Sequence, residues 1–187
     1  MGFREQCLAK LGSLQYRVLT SGFRREAAVL ILVFEHDGEP YFVLTRRTQE
    51  VETHKGQISF PGGMRQDGEP LEQTALRETF EEIGIQSSQI EILGRFHDYI
   101  SVTEYRVSPF VGIIKEPFTV KIQPREVAEV LSVPFHIFRD PGRLRVEQQP
   151  RPGRMIDVYF YSYQDHTIWG LTARIIKEFL EFVGARS

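Results

Sequence analysis

The chain has 187 residues, 41% of them hydrophobic and 26% charged, with a formal net charge of −2. That composition excludes a disordered chain and a disulfide-stapled miniprotein, and the length suffices for a buried core. The near-neutral charge leaves no general electrostatic footprint for nucleic acid, and no apolar run approaches the ~18 residues of a membrane span.

Residues 3–14 are expected to form a short amphipathic helix. Its Cys7 is the only cysteine, so an intrachain disulfide is excluded; we read it as a structural thiol, which fits a reducing, cytoplasmic setting. The start carries no signal-peptide core, and Cys7 and Leu8 do not supply the hydroxyl residue of a myristoylation pattern. AAVLILVF (27–34) is a continuous apolar run and predicts a strand buried on both faces. Asp37-Gly38 signals a hairpin into a second strand, YFVLTRR (41–47). A polar loop (48–56) and a short strand (57–60) precede the breaker Pro61-Gly62-Gly63. Residues 70–83 predict a helix that opens near Pro70 and stops at Gly84. Strands are expected at 90–100 and 105–114, a short helix at 124–131, a strand at 155–163 and a final helix at 169–183. Arg139–Gly153, rich in proline and glycine, reads as an excursion within the domain. Strands and helices mix without strict alternation, which favours a mixed sheet packed between helices over a doubly wound parallel sheet.

The helix at 70–83 poses the chemical question. Ala75, Leu76, Thr79, Phe80 and Ile83 share one apolar arc, and Glu78, Glu81 and Glu82 border it. Like charges three or four residues apart cost about 0.2–0.5 kcal/mol per pair on an exposed helix. The cost rises beside a core, where water screens poorly. Arg77 can compensate Glu81 but not all three carboxylates. One reading is a solvated acidic face; the other is a hard divalent cation, with carboxylates one turn apart as ligands and a backbone carbonyl at Gly62-Gly63 approaching closely.

Five residues separate Gly63 from Glu69, and seven more precede Arg77-Glu78-Thr79-Phe80-Glu81-Glu82-Ile83-Gly84-Ile85. This order resembles the Nudix box, G-x5-E-x7-R-E-U-x-E-E-x-G-U with U apolar; Thr79 is the one departure. The resemblance implies an α/β/α sandwich, one domain over 1–187 with a core at about 25–183 and an N-terminal helical extension (1–24). It also implies hydrolysis of a nucleoside diphosphate linked to another moiety, with Mg²⁺ or Mn²⁺ as cofactor. Glu78 and Glu82 are then the leading metal ligands, Glu81 a third ligand or water-activating group, Arg77 the residue that orients them, and Gly63 the donor of a carbonyl. Water is the expected nucleophile.

VLTRRTQEVETHKGQISFPGG (43–63) resembles a further motif of the coenzyme A pyrophosphatase subgroup, L-L-T-x-R-S-x3-R-x3-G-x3-F-P-G-G. Leu44, Thr45, Arg47, Gly56, Phe60, Pro61, Gly62 and Gly63 fit it; Thr48 keeps the hydroxyl of the usual serine, and Glu52 reverses the charge of an arginine. IWGLTARII (168–176) resembles the last helix of that subgroup. The resemblance implies cleavage of coenzyme A or acyl-CoA to phosphopantetheine and adenosine 3′,5′-bisphosphate. Arg46, Arg47, Lys55 and Gly62 are the candidate substrate-binding residues, since a 3′-phosphate wants cationic partners. Tyr99, Glu104 and Tyr105 are candidates for the pocket wall. The alternative substrate is ADP-ribose or a nucleoside-diphosphate sugar, kept open by Glu52. The histidines show no zinc spacing, Trp169 reads as core, and a homodimer is a family-level expectation.

Overall fold

The structure, a computed structural model, describes residues 2–49, 56–115, 117–151 and 153–184. In chain order its elements are α1 (Phe3–Gly12), β1 (Arg25–His36), β2 (Glu39–Arg47), β3 (Ile58–Ser59), β4 (Gly62–Met64), α2 (Leu71–Ile83), β5 (Ile90–Arg95), β6 (Tyr99–Ile100), β7 (Tyr105–Ile114), β8 (Val127–Pro134), α3 (Phe135–Arg139), β9 (Leu144–Arg151), β10 (Arg154–Tyr163), β11 (His166–Trp169) and α4 (Gly170–Phe182).

The central strand is β1. It pairs antiparallel with β2 and β4 and parallel with β7, while β3 and β8 extend the sheet beyond β2, and β5 and β6 pair with β7. Asp37 and Gly38 turn β1 into β2 with φ of 51° and 78°, the positive pair that a tight hairpin requires. The continuous apolar run of β1 is explained by what covers it. Ala28, Leu30 and Leu32 face Ala75, Leu76 and Ile83 of α2. Ile31 and Val33 point the other way, toward Phe42, Leu44, Cys7 and Leu11 of α1, and Phe179 of α4. Each buried Leu, Ile, Val or Phe among them contributes about 1.5–3 kcal/mol. The result is a mixed sheet with helices on both faces, as expected.

The helices on the second face are tied end to end. Lys10 Nζ donates to the Phe182 carbonyl (2.9 Å) and Gln6 Nε2 to that of Val183 (2.6 Å), so α1 satisfies carbonyls that the end of α4 leaves open.

Four expectations are corrected. Residues 124–131 do not form a helix: from Val127 the chain pairs with β2, Leu131 opposite Leu44 and Val133 opposite Phe42. Its Glu and Ala content suggested a helix, but pairing across the sheet overrides local propensity. The supposed excursion contains β9, which forms a separate antiparallel sheet with β10 and β11. Ile168 therefore sits in a strand, and Trp169 is 41% exposed, stacked on Phe160, not in the core. Phe80, placed on the apolar arc of α2, is 52% exposed; Thr74 is buried on that helix instead.

Candidate active site

The site is built where β4 meets α2. Gly62 and Gly63 pair with Val29 and Ala28 of β1. A Cβ on Gly62 would lie 2.3 Å from the Ala28 carbonyl oxygen, and one on Gly63 would lie 2.4 Å from the Glu78 carboxylate. Both positions therefore need glycine: the first so that β4 can reach the sheet, the second so that a carboxylate can lie against the backbone. Gly84 ends α2 in the left-handed region at φ 75°, its N–H bonded to the Phe80 carbonyl at 2.9 Å. Thr79 is fully buried, and its hydroxyl donates to the Ala75 carbonyl at 2.7 Å. That bond is why a threonine can stand at an apolar position of the box.

Arg77 gathers the acidic side chains. Its Nε donates to Glu69 at 2.8 Å, its Nη1 to Glu78 at 2.8 Å and to Glu81 at 2.9 Å, and its Nη2 to the Met64 carbonyl at 3.1 Å. The Arg77 hydrogen bond, aided by bonds from Thr74 and the Gln66 backbone, holds the Glu69 carboxyl down at about 2. Glu69 is thus the brace of the arginine, and Glu81 stands on the exposed rim.

Glu82 differs from its neighbours. Only 2% of it is exposed, and its Oε2 is buried without a hydrogen-bond partner. Burial pushes its carboxyl up to about 8, against the pull of Arg47 and a bond from the Gly62 backbone. Burial likewise raises the Glu78 carboxyl. Arg47 Nη1 lies 3.8 Å from Glu82 Oε1, and Arg47 Nε has no partner. Arg47 thus keeps a buried donor unpaired and Glu82 a buried acceptor unpaired, and native interiors rarely leave such groups unmatched.

One residue here had no signal in the sequence. Glu126, in the turn before β8, adds repulsion to both Glu78 and Glu82. Only the pairing of β8 with β2 reveals it, since that pairing carries the turn back to Arg47.

The other candidates are dispersed. Arg46 Nε is bound to Glu129 at 2.9 Å, with His166 3.6 Å from the same carboxylate; no contact joins it to Glu82. Glu104 pairs with Arg24 at 2.6 Å, and the Tyr99 hydroxyl donates to Glu178 at 2.8 Å. Lys55 and Glu52 lie outside the described residues. Among the described residues no helix is long and apolar enough to cross a membrane.

Among the described residues no group of three His, Cys, Asp or Glu side chains is arranged to hold a metal ion, and Glu69, Glu78 and Glu81 are bonded to Arg77. The donor set nevertheless fits a hard cation. Glu82 carries an orphaned buried oxygen, Glu78 lies against Gly63, and two desolvated carboxylates stand one turn apart.

Residues 24–179 match the NUDIX domain family. Nudix hydrolase 22, chloroplastic, of Arabidopsis thaliana is 35% identical over 92% of this chain, and the match spans 63% of that protein's length. An uncharacterized Nudix hydrolase, NudL, of Photorhabdus laumondii is 36% identical over 85% of each chain. Among solved structures, a MutT/nudix family protein from Enterococcus faecalis superposes with a TM-score of 0.57 at 18% identity, over 91% of this chain and 66% of that one, a likeness of fold. With its box complete but for Thr79 and residues 24–179 matching the family model, the chain belongs to the Nudix hydrolase family, the pyrophosphohydrolase class of enzymes.

Proposed function

We propose that this chain hydrolyses the pyrophosphate of coenzyme A or acyl-CoA, giving phosphopantetheine or its acyl form and adenosine 3′,5′-bisphosphate, with Mg²⁺ or Mn²⁺ as cofactor. The observation that carries the reading is the approach of Arg47 to Glu82. It joins the segment that resembles the coenzyme A motif to the acidic box.

Glu78, Glu82 and the Gly63 carbonyl would hold the ion, which supplies charge neutralisation for the diphosphate and acidifies water. The chain's own groups do the rest. Arg47 has an unpaired Nε to donate to a diphosphate oxygen, and a guanidinium suits that geometry. Arg77 keeps Glu78 and Glu81 in register with the Gly63–Met64 backbone. Glu81 or Glu126 takes the proton as the water oxygen bonds to phosphorus and the bridging P–O bond breaks.

A second reading, ADP-ribose or a nucleoside-diphosphate sugar as substrate, is favoured by one observation: Arg46 is already engaged by Glu129. The test is phosphorus NMR in ¹⁸O-labelled water with CoA, dephospho-CoA and ADP-ribose compared. Preference for CoA over dephospho-CoA supports the first reading. Equal turnover of the two, or faster turnover of ADP-ribose, refutes it.

A further inference from the structure

We infer that Thr48 is a positioning residue: it latches the turn that carries Glu126 to the strand that carries Arg47. The inference deepens the reading above, since it takes Glu78, Glu82, Arg47 and Glu126 to bound one cleft.

Two hydrogen bonds make the latch. The Thr48 N–H donates to the Glu126 carbonyl at 2.9 Å, and the Thr48 hydroxyl donates to the Arg125 carbonyl, also at 2.9 Å. Consecutive carbonyls of one turn are thus held by one residue. The turn is closed on itself by the Glu126 N–H and the Val127 N–H, which donate to the Gln123 carbonyl at 3.0 and 2.9 Å. Its other side is fastened to the end of α2: the Gln123 N–H donates to the Glu82 carbonyl at 2.8 Å and the Lys121 N–H to that of Ile83 at 2.8 Å. The segment from Lys121 to Val127 is therefore pinned at both ends, to the helix of the glutamates and to β2.

The ladder cannot do this alone. The register of β2 and β8 shifts between Arg46 and Arg47, so regular pairing is interrupted where Arg47 turns toward Glu82. A bulge re-aims a side chain at the expense of ladder bonds. The Thr48 hydroxyl supplies a bond beyond that interruption, so Arg47 and Glu126 keep their places near Glu82. A hydroxyl that only filled a vacant carbonyl would affect stability alone; a latch affects the cleft.

The experiment measures Mn²⁺ affinity of the protein by electron paramagnetic resonance, melting temperature, and kcat and KM with CoA. The variants are Thr48→Val, Thr48→Ala and Thr48→Ser, each also combined with Glu126→Gln. Thr48→Val is expected to fold, to bind Mn²⁺ about 3–10-fold more weakly and to lose a similar factor in kcat, the scale of one hydrogen bond. Thr48→Ser is expected to stay within about twofold of the parent, since it keeps the donor. In the Glu126→Gln background Thr48→Val should have a smaller effect, what remains acting through Arg47. Thr48→Ala is read by the same criteria if the valine variant does not fold. Unchanged Mn²⁺ affinity and kcat, an equally impaired serine variant, or an undiminished effect in the Glu126→Gln background overturns the latch. Parent protein that binds Mn²⁺ but cleaves no diphosphate refutes the activity alone, and the Mn²⁺ measurements still decide the latch. Parent protein that binds no Mn²⁺ overturns both.

Discussion

Replacing Glu82 with glutamine should stabilise the metal-free protein while abolishing turnover. The native carboxyl sits at about 8 because burial penalises its charged form, against 4.5 for the same group in solvent. Between those values the native state holds more protons than the unfolded chain, so stability falls as pH rises across that window. At about 1.4 kcal/mol per pH unit, the loss reaches at most about 4 kcal/mol by pH 8. Glutamine keeps the shape and the acceptor for the Gly62 N–H but carries no charge to bury. Allowing for local relaxation, Glu82→Gln should gain about 1–3 kcal/mol at pH 8, a melting temperature higher by roughly 2–12 °C for a chain of this size. At pH 5 the advantage should shrink below about 1 kcal/mol. Thermal melts in EDTA from pH 5 to 8.5 measure this directly. Added Mg²⁺ should raise the melting temperature of the parent and leave the variant unmoved. A variant that melts lower than the parent at pH 8, or an advantage that does not depend on pH, would refute the claim that desolvation governs this side chain.

Gly63→Ala drives a methyl group into the Glu78 carboxylate, so we expect a normal far-ultraviolet circular dichroism spectrum with turnover reduced at least about 100-fold; a variant retaining near-parental kcat would show that the close approach of these two groups is dispensable. Cys7 is wholly buried, and burial pushes its thiol up to about 12, so Ellman's reagent should leave the native protein unmodified and react fully in guanidinium chloride. Rapid labelling under native conditions would mean that α1 does not stay docked.

Much of this architecture could be read before any coordinates, and the reasons are local. Residues 27–34 are apolar without alternation because both faces of β1 are covered, and Asp37-Gly38 announces the turn that follows. The box is legible because its glycines and glutamates answer one another within a short stretch of chain. What escaped was non-local. The strand character of β8 depends on β2, which lies over eighty residues earlier in the chain, and β9 is recognisable only once β10 is beside it. Glu126 escaped for the same reason. Arg46 and Arg47 are adjacent in sequence, but only the bulge and the Glu129 partner reveal that one is occupied elsewhere while the other faces Glu82. Phe80 was misplaced because an apolar residue at helical spacing does not say how wide the buried stripe is.

The parallel pairing of β1 with β7 has a kinetic consequence. Residues matched across it, such as Val29 and Pro109, are about 80 positions apart in the chain. Closing so long a loop costs entropy before any contact repays it, and topologies of that kind cross their folding barrier slowly. The hairpin of β1 and β2 is local by comparison and can nucleate early. Glu82 is therefore desolvated only once distant segments have met, and a partly folded intermediate would present the acidic helix to solvent as an ordinary charged surface.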